Sequence, residues 1–387
     1  MGPIRWLGLL AGIVLLGSGA GSALYTLVLP RAHPSRLTEV ATRSTLAAGR
    51  WIADRLPTYE AKDHVLALAG PVALLGAFGL WLAAFLLGYS LILWPLVHGG
   101  LTAALRAAGS AMLTLGLASP PGGGDPSAPA TAVSYVAAGT GLAVVALEIA
   151  YLPTIYGAFN RRETLVTLLE SRAGAPAWGP EILTRHQLVG ISDSLPAFFA
   201  SWEQWAADVA ETHTTYPVLV LFRSPNAFRS WIVGLLAVLD SAALHLALAP
   251  SAAPSEARLC LRMGFRALQD IAPAWGLPVE LDPRPDDPIL LSYEEYLEGV
   301  ERMREAGVAL ERSPEEGWVH FRGWRVNYEA PAYFLGRMVM AVPGPWAGPR
   351  RRIGILHTVR PLDRTPEDPE AARQKGGRWL GPTPRAN

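Results

Sequence analysis

Residues 112–121 read MLTLGLASPP, and they lie between two long apolar segments. A helix needs about 20 mostly apolar residues to cross a ~30 Å hydrocarbon core, so this stretch is too short to span. Its Thr, Gly and two prolines also make it a poor helix interior. Its role depends on the segments that flank it.

Three apolar runs are long enough to cross a bilayer. The first is Trp6–Leu29, the second Val65–Val97, and the third Thr131–Phe159, interrupted only by Glu148. The first run also fits a signal peptide, because Arg5 precedes it and the small-residue stretch GSGAGSA closes it. Charged residues concentrate after the third run, so the 387-residue chain reads as a membrane half followed by a second, mixed half. The expected divisions are a first transmembrane helix (1–29), a cytosolic linker (30–64), a pore module (65–159), a cytosolic helical domain (160–342) and a flexible tail (343–387). The fold class is an all-α membrane protein with three transmembrane helices.

Basic residues in short loops set the orientation. Arg31, Arg36, Arg43, Arg50, Arg55 and Lys62 separate the first two runs, and Arg161 and Arg162 follow the third. Between the second and third runs, His98–Ala130 holds only Arg106. The expectation is a multi-pass protein of the cell membrane with residues 30–64 and 160 onward in the cytoplasm, and the N-terminus outside. Residues 98–130 then leave and re-enter on the same side.

The segment Gly99–Leu113 (GGLTAALRAAGSAML) is long enough for about four helical turns. It would dip into the membrane, and TLGLA would lead the chain back out. Non-helical backbone at that depth is tolerated only where protein buries it or where it lines a watery path. A short helix followed by Thr-x-Gly-x-small is the layout of an ion-channel pore loop, in which backbone carbonyls from several subunits replace the water shell of a cation. Glycine supplies the positive φ that turns successive carbonyls toward one axis. The helix would aim its negative carbonyl end toward the ions.

On GSAMLTLGLASP and on YLPTIYGAFNRRE (residues 151–163), the chain resembles the bacterial two-transmembrane potassium-channel-like proteins. Residues 202–231, WEQWAADVAETHTTYPVLVLFRSPNAFRSW, look like the helical tail of one subgroup. The resemblance covers roughly residues 65–270. It implies a homotetramer with Thr114, Leu115, Gly116, Leu117 and Ala118 as the ion-pathway filter, no cofactor, and a monovalent cation, K+, as the permeant species. The family filter reads Thr-x-Gly-Tyr-Gly-Asp, with Phe or Leu for the Tyr. Here Ala118 stands for the second glycine and Ser119 for the acid, a departure that weakens potassium selectivity.

Two glycines, Gly139 and Gly141, sit mid-way along the third run, either as a hinge or to let helices pack closely. A carboxylate inside a spanning helix is costly and usually faces a watery cavity or a partner. Helical spacing puts Gly141, Val144, Glu148 and Leu152 on one face. Glu148 therefore either rings an ion cavity together with Gly141, snorkels to the interface, or pairs with Arg161 or Arg162.

The second half reads as helical, with Phe198, Trp202, Trp205 and Val209 forming an apolar stripe. Residues 228–248 approach spanning length, but Asp240 and His245 favour a buried helix. Arg258, Arg262 and Arg266 recur every fourth residue, most simply as a solvated face. Lys plus Arg equals Asp plus Glu at 33 each, which excludes the charge signature of a nucleic-acid partner. Cys260 is the one cysteine, so no intrachain disulfide can form. The histidines lack metal-ligand spacing, and no phosphate-binding glycine loop, CxxC or HExxH occurs. These absences point away from an enzyme. The two functional expectations are a cation-channel subunit in membrane lipid, or a non-conducting channel-derived scaffold whose cytosolic domain meets a protein partner.

Overall fold

The computed structural model describes residues 3–27, 36–117 and 127–348. Among these the secondary structure is helical, with no strand. The chain divides into two compact units: residues 1–163, 208–227 and 270–278 form the first, and residues 164–207, 228–269 and 279–387 the second. Composition does not separate the two segments that return to the first unit from the expected cytosolic domain around them. Among the described residues, four stretches are long and apolar enough to cross a membrane: Pro3–Leu27, Tyr59–Leu93, Ala128–Ala173 and Trp231–Leu248.

In the first unit, α1 (Pro3–Leu27) lies against α4 (Ala69–Leu93). Their approach is close because glycine meets glycine. A Cβ on Gly12 would stand 2.7 Å from the Gly88 carbonyl oxygen, so no larger residue fits there. The buried Trp81 indole donates to Ser22 Oγ at 2.7 Å, which satisfies both polar groups inside an apolar interface. The linker expected at 30–64 holds two helices, α2 (Arg36–Ala53) and α3 (Tyr59–Ala67). The α2 helix is amphipathic and packs along α4 with Ala41 and Leu46 buried. Thr58 caps α3 by accepting from the Ala61 amide. The second apolar run is not one helix over its full length: it breaks at Leu68, and α4 ends at Leu93.

After α4 come α5 (Gly100–Met112) and α6 (Ala128–Ala173). At 1.5 Å per residue the 46 residues of α6 reach about 70 Å, twice the hydrocarbon thickness. It continues as helix through Pro153.

The second unit is built around α9 (Trp231–Leu248), an apolar helix that is 94% buried. Against it pack α7 (Gly179–Val189), α12 (Pro314–Arg325) and α13 (Glu329–Met338), while α11 (Tyr293–Glu305) packs on α7. Capping boxes start α11 and α12, from Ser292 with Glu295 and from Ser313 with Glu316. Earlier in the chain, α8 (Leu195–Thr215) carries the expected stripe, and Phe198, Trp202, Trp205 and Val209 are all buried. On α10 (Ser255–Ile271) the Arg258, Arg262 and Arg266 row is turned away from the buried core. Within the flexible tail expected from Pro343 onward, Trp346 is buried and its carbonyl accepts from Arg325 at 2.8 Å. The residues of that expected tail after Gly348 lie outside the described residues.

Candidate pore-loop site

The segment between α4 and α6 begins with two left-handed glycines, Gly99 at φ 100° and Gly100 at φ 82°. They reverse the chain so that α5 comes back along α4. The α5 sequence makes that contact possible: Ala104, Ala108 and Met112 recur at four-residue intervals and are buried, presenting a ridge of small side chains. Gly109 faces Leu86, with 3.6 Å between its Cβ position and the leucine Cδ1. Leu86 lies seven residues inside the end of α4, a depth of about 10 Å at helical rise.

The α5 helix then ends in a compact turn. Leu113 and Thr114 amides donate to the Gly109 and Ala111 carbonyls at 3.0 and 3.1 Å. Ser110 organises the residues just beyond the helix, its carbonyl accepting from Leu115 at 2.9 Å and its hydroxyl from the Leu117 amide at 2.9 Å. Thr114 is left-handed at φ 53° and Gly116 at φ 66°, with Leu115 between them outside that region. For a threonine this conformation is uncommon. Leu113, Leu115 and Leu117 are exposed. Of the expected filter, Thr114, Leu115, Gly116 and Leu117 form this turn, whereas Ala118 and the neighbouring Ser119 lie outside the described residues.

The α6 helix closes the site from the other side. A Cβ on Gly141 would fall 1.9 Å from the Met112 carbonyl oxygen, so Gly141 is the point where α6 touches the end of α5. Tyr89 and Thr140 hydroxyls bond at 2.6 Å across α4 and α6. Thr140 also donates to the Val136 carbonyl at 2.9 Å, which makes Tyr89 the donor to Thr140. Gly139 faces open space, and the helix is unbroken at both glycines.

Glu148 shares a face with the buried Val144 and Tyr151. One of its oxygens, Oε1, is buried with no hydrogen-bond partner. The expected pairing with Arg161 or Arg162 is not made. Arg161 bonds Asp208 at 3.1 Å, while Arg162 is fully buried and contacts Glu163 at 2.8 Å. Arg162 also donates to the Leu219 and Phe222 carbonyls at 2.8 and 2.7 Å, and lies 3.0 Å from His213 Nε2. For Nε2 to accept from a guanidinium the imidazole must be neutral, with its proton on Nδ1. Burial and the Arg162 charge both push the His213 pKa well below its ordinary value. The RRE sequence is the one local sign of this cluster, and nothing near His213 announces it.

No family model, curated protein or solved structure matches this chain. Its site is therefore read from geometry. A second buried join lies at α3, where Arg223 pairs with Asp63 at 2.5 Å and donates to the Tyr59 hydroxyl at 2.6 Å. This fastens the start of α3 to residues that come after α8 in the sequence. Among the described residues no group of three or more His, Cys, Asp or Glu is arranged to hold a metal ion.

Proposed function

We propose that this protein is one subunit of a homotetrameric cation channel of the cell membrane, with α1, α4 and α6 as spans and α5 with its turn as a re-entrant pore loop. The observation that carries the reading is the return of α5 to the level of Leu86, ending in a turn where Thr114 and Gly116 are left-handed on either side of Leu115. Cation coordination by backbone requires successive carbonyls on one side, and positive φ at alternate residues is a backbone pattern that supports this reading. The exposed Leu115 and Leu117, and the exposed Leu142, Val145 and Ile149 of α6, are surfaces for lipid or for other copies of the chain.

The Asp63–Arg223 pair supports the expected topology, since it ties the 30–64 region to residues beyond Arg162. Both then face the cytoplasm, and the N-terminus faces outside. The α9 helix is read as an interior helix rather than a fourth span, because Asp240 on it is paired and its faces are covered by protein.

The test is reconstitution into liposomes and measurement of K+, Na+ and Cl− flux. Cation flux with weak preference for K+ over Na+ is expected, and Ala118→Gly with Ser119→Asp should sharpen that preference. Absence of cation flux from folded, oriented protein sinks the channel reading and leaves the scaffold reading.

A further inference from the structure

A cavity of about 400 Å³ lies within the second unit. That is the size range of small-molecule pockets. Its walls come from four helices: Leu183 of α7, Leu195 of α8, Leu244 and Leu248 of α9, and, more than 50 residues further along the chain, Met303 of α11. Its polar groups are few. Ser192 donates to Gln187 at 3.2 Å, so that pair is engaged with itself. The Asp193 carboxylate stands at the rim. His245 completes the lining, and its Nδ1 is buried without a hydrogen-bond partner. An unpaired buried polar atom costs on the order of 1–3 kcal/mol unless something bonds to it.

The charge pattern selects among ligands. No Lys or Arg lines the cavity, whereas a carboxylate stands at its mouth. Burial lowers the His245 pKa, with the Glu311 carboxylate pulling the other way, so the imidazole is neutral at physiological pH and offers no positive charge. Phosphates and carboxylates would meet the Asp193 charge with nothing to offset it. A ligand with an apolar body and a protonated amine would bury its body against the leucines and place its N–H groups within the field of Asp193, with His245 as a neutral hydrogen-bonding group.

We propose that this cavity binds a small lipophilic amine. The site is separate from the pore-loop reading, and its test requires no ion flux.

The test uses three probes with one aryl-ethyl-type body: phenethylamine, phenethyl alcohol and phenylacetate. Their binding to the full chain in lipid nanodiscs is measured by calorimetry, with empty nanodiscs as reference for partition into lipid. Phenethylamine should bind saturably and at least about tenfold tighter than phenylacetate. Asp193→Asn should remove most of that preference while leaving the alcohol unchanged. Ala309→Trp, at a lining position, should plug the cavity and abolish amine binding without lowering the melting temperature. His245→Leu should weaken both the amine and the alcohol. Equal affinity for acid and amine overturns the proposal. So does binding that empty nanodiscs reproduce, binding that survives Ala309→Trp in a folded protein, or no saturable binding at all.

Discussion

The apolar run of α6, residues 131–159, and the α9 helix look alike in the sequence: each is a long apolar run with one internal acid, Glu148 in the first and Asp240 in the second. Their surroundings are opposite. Only 22% of the most apolar stretch of α6 is buried within the chain, against 94% for α9. Glu148 on α6 has an oxygen with no partner. Asp240 on α9 accepts from Arg325 Nη1 and, at 2.9 Å, from the Tyr328 hydroxyl. Arg325 in turn donates to Glu329 at 2.8 Å, to the Tyr333 hydroxyl at 2.9 Å and to the Trp346 carbonyl. Glu329 also accepts from the Leu290 and Leu291 amides, which ties the loop before α11 into the same network. An apolar helix with a paired acid belongs inside a protein. An apolar helix with an unpaired acid and bare faces has another environment still to meet. An acid in an apolar run is thus read by its partners, not by the run.

The strongest way to break this contrast is to remove the Asp240 partner. Arg325→Met keeps an apolar stem but leaves Asp240 and Glu329 buried with their shared cation gone. Losing one partner of a buried pair costs about 3–5 kcal/mol. The second unit should then melt early and become protease-sensitive, while the first unit's helices keep their protection. A variant as stable as the parent would mean that the network contributes nothing to the unit.

An intermediate effect is expected from pH, through His213. Its pKa is held down by burial and by Arg162, so the folded protein binds no proton there while the unfolded chain does below about 6.5. The His213 contribution to stability is therefore flat above about pH 6.5 and falls on acidification, by at most about 1.4 kcal/mol per pH unit for one proton. Thermal melts of the full chain between about pH 7.5 and 5 check this, and His213→Gln should blunt the fall. A His213→Gln variant that falls as steeply on acidification as the parent would contradict the neutral imidazole.

The smallest effect on folding is expected at Glu148. Glu148→Gln keeps the shape and removes a charge that nothing in the described chain pairs, so the change in stability should stay within about 0.5 kcal/mol. If Glu148 faces the ion path, the same variant lowers single-channel cation conductance. A stability loss comparable to that of Arg325→Met would reveal a partner for Glu148 and erase the difference between the two helices.

Much of the segment between α4 and α6 was legible in the amino-acid sequence. The expected Gly99–Leu113 helix forms as α5, because its bounds are local: a glycine pair opens it, and a Thr-Leu-Gly turn closes it. The role of Gly141 in close packing was legible as one of two options. Contact with Met112 is the tertiary addition, since a glycine in a helix looks the same in sequence whether it bends or packs. Pairing of Glu148 with Arg161 or Arg162 was one of three alternatives left open by the sequence; Arg162 instead takes its neighbour Glu163, and Arg161 takes Asp208, which lies 47 positions away on another helix where no local pattern points to it.

Sequence by itself determined the helical character, the apolar runs and the short helix between them. These arise from composition and spacing within some twenty residues, the range over which backbone preference and hydrophobic length act. Tertiary structure alone decided which acid is paired, where His245 finds space and which helix is wrapped in protein. Those outcomes depend on side chains brought together from distant positions, 85 residues apart for Arg325 and Asp240, and no local pattern records such a meeting.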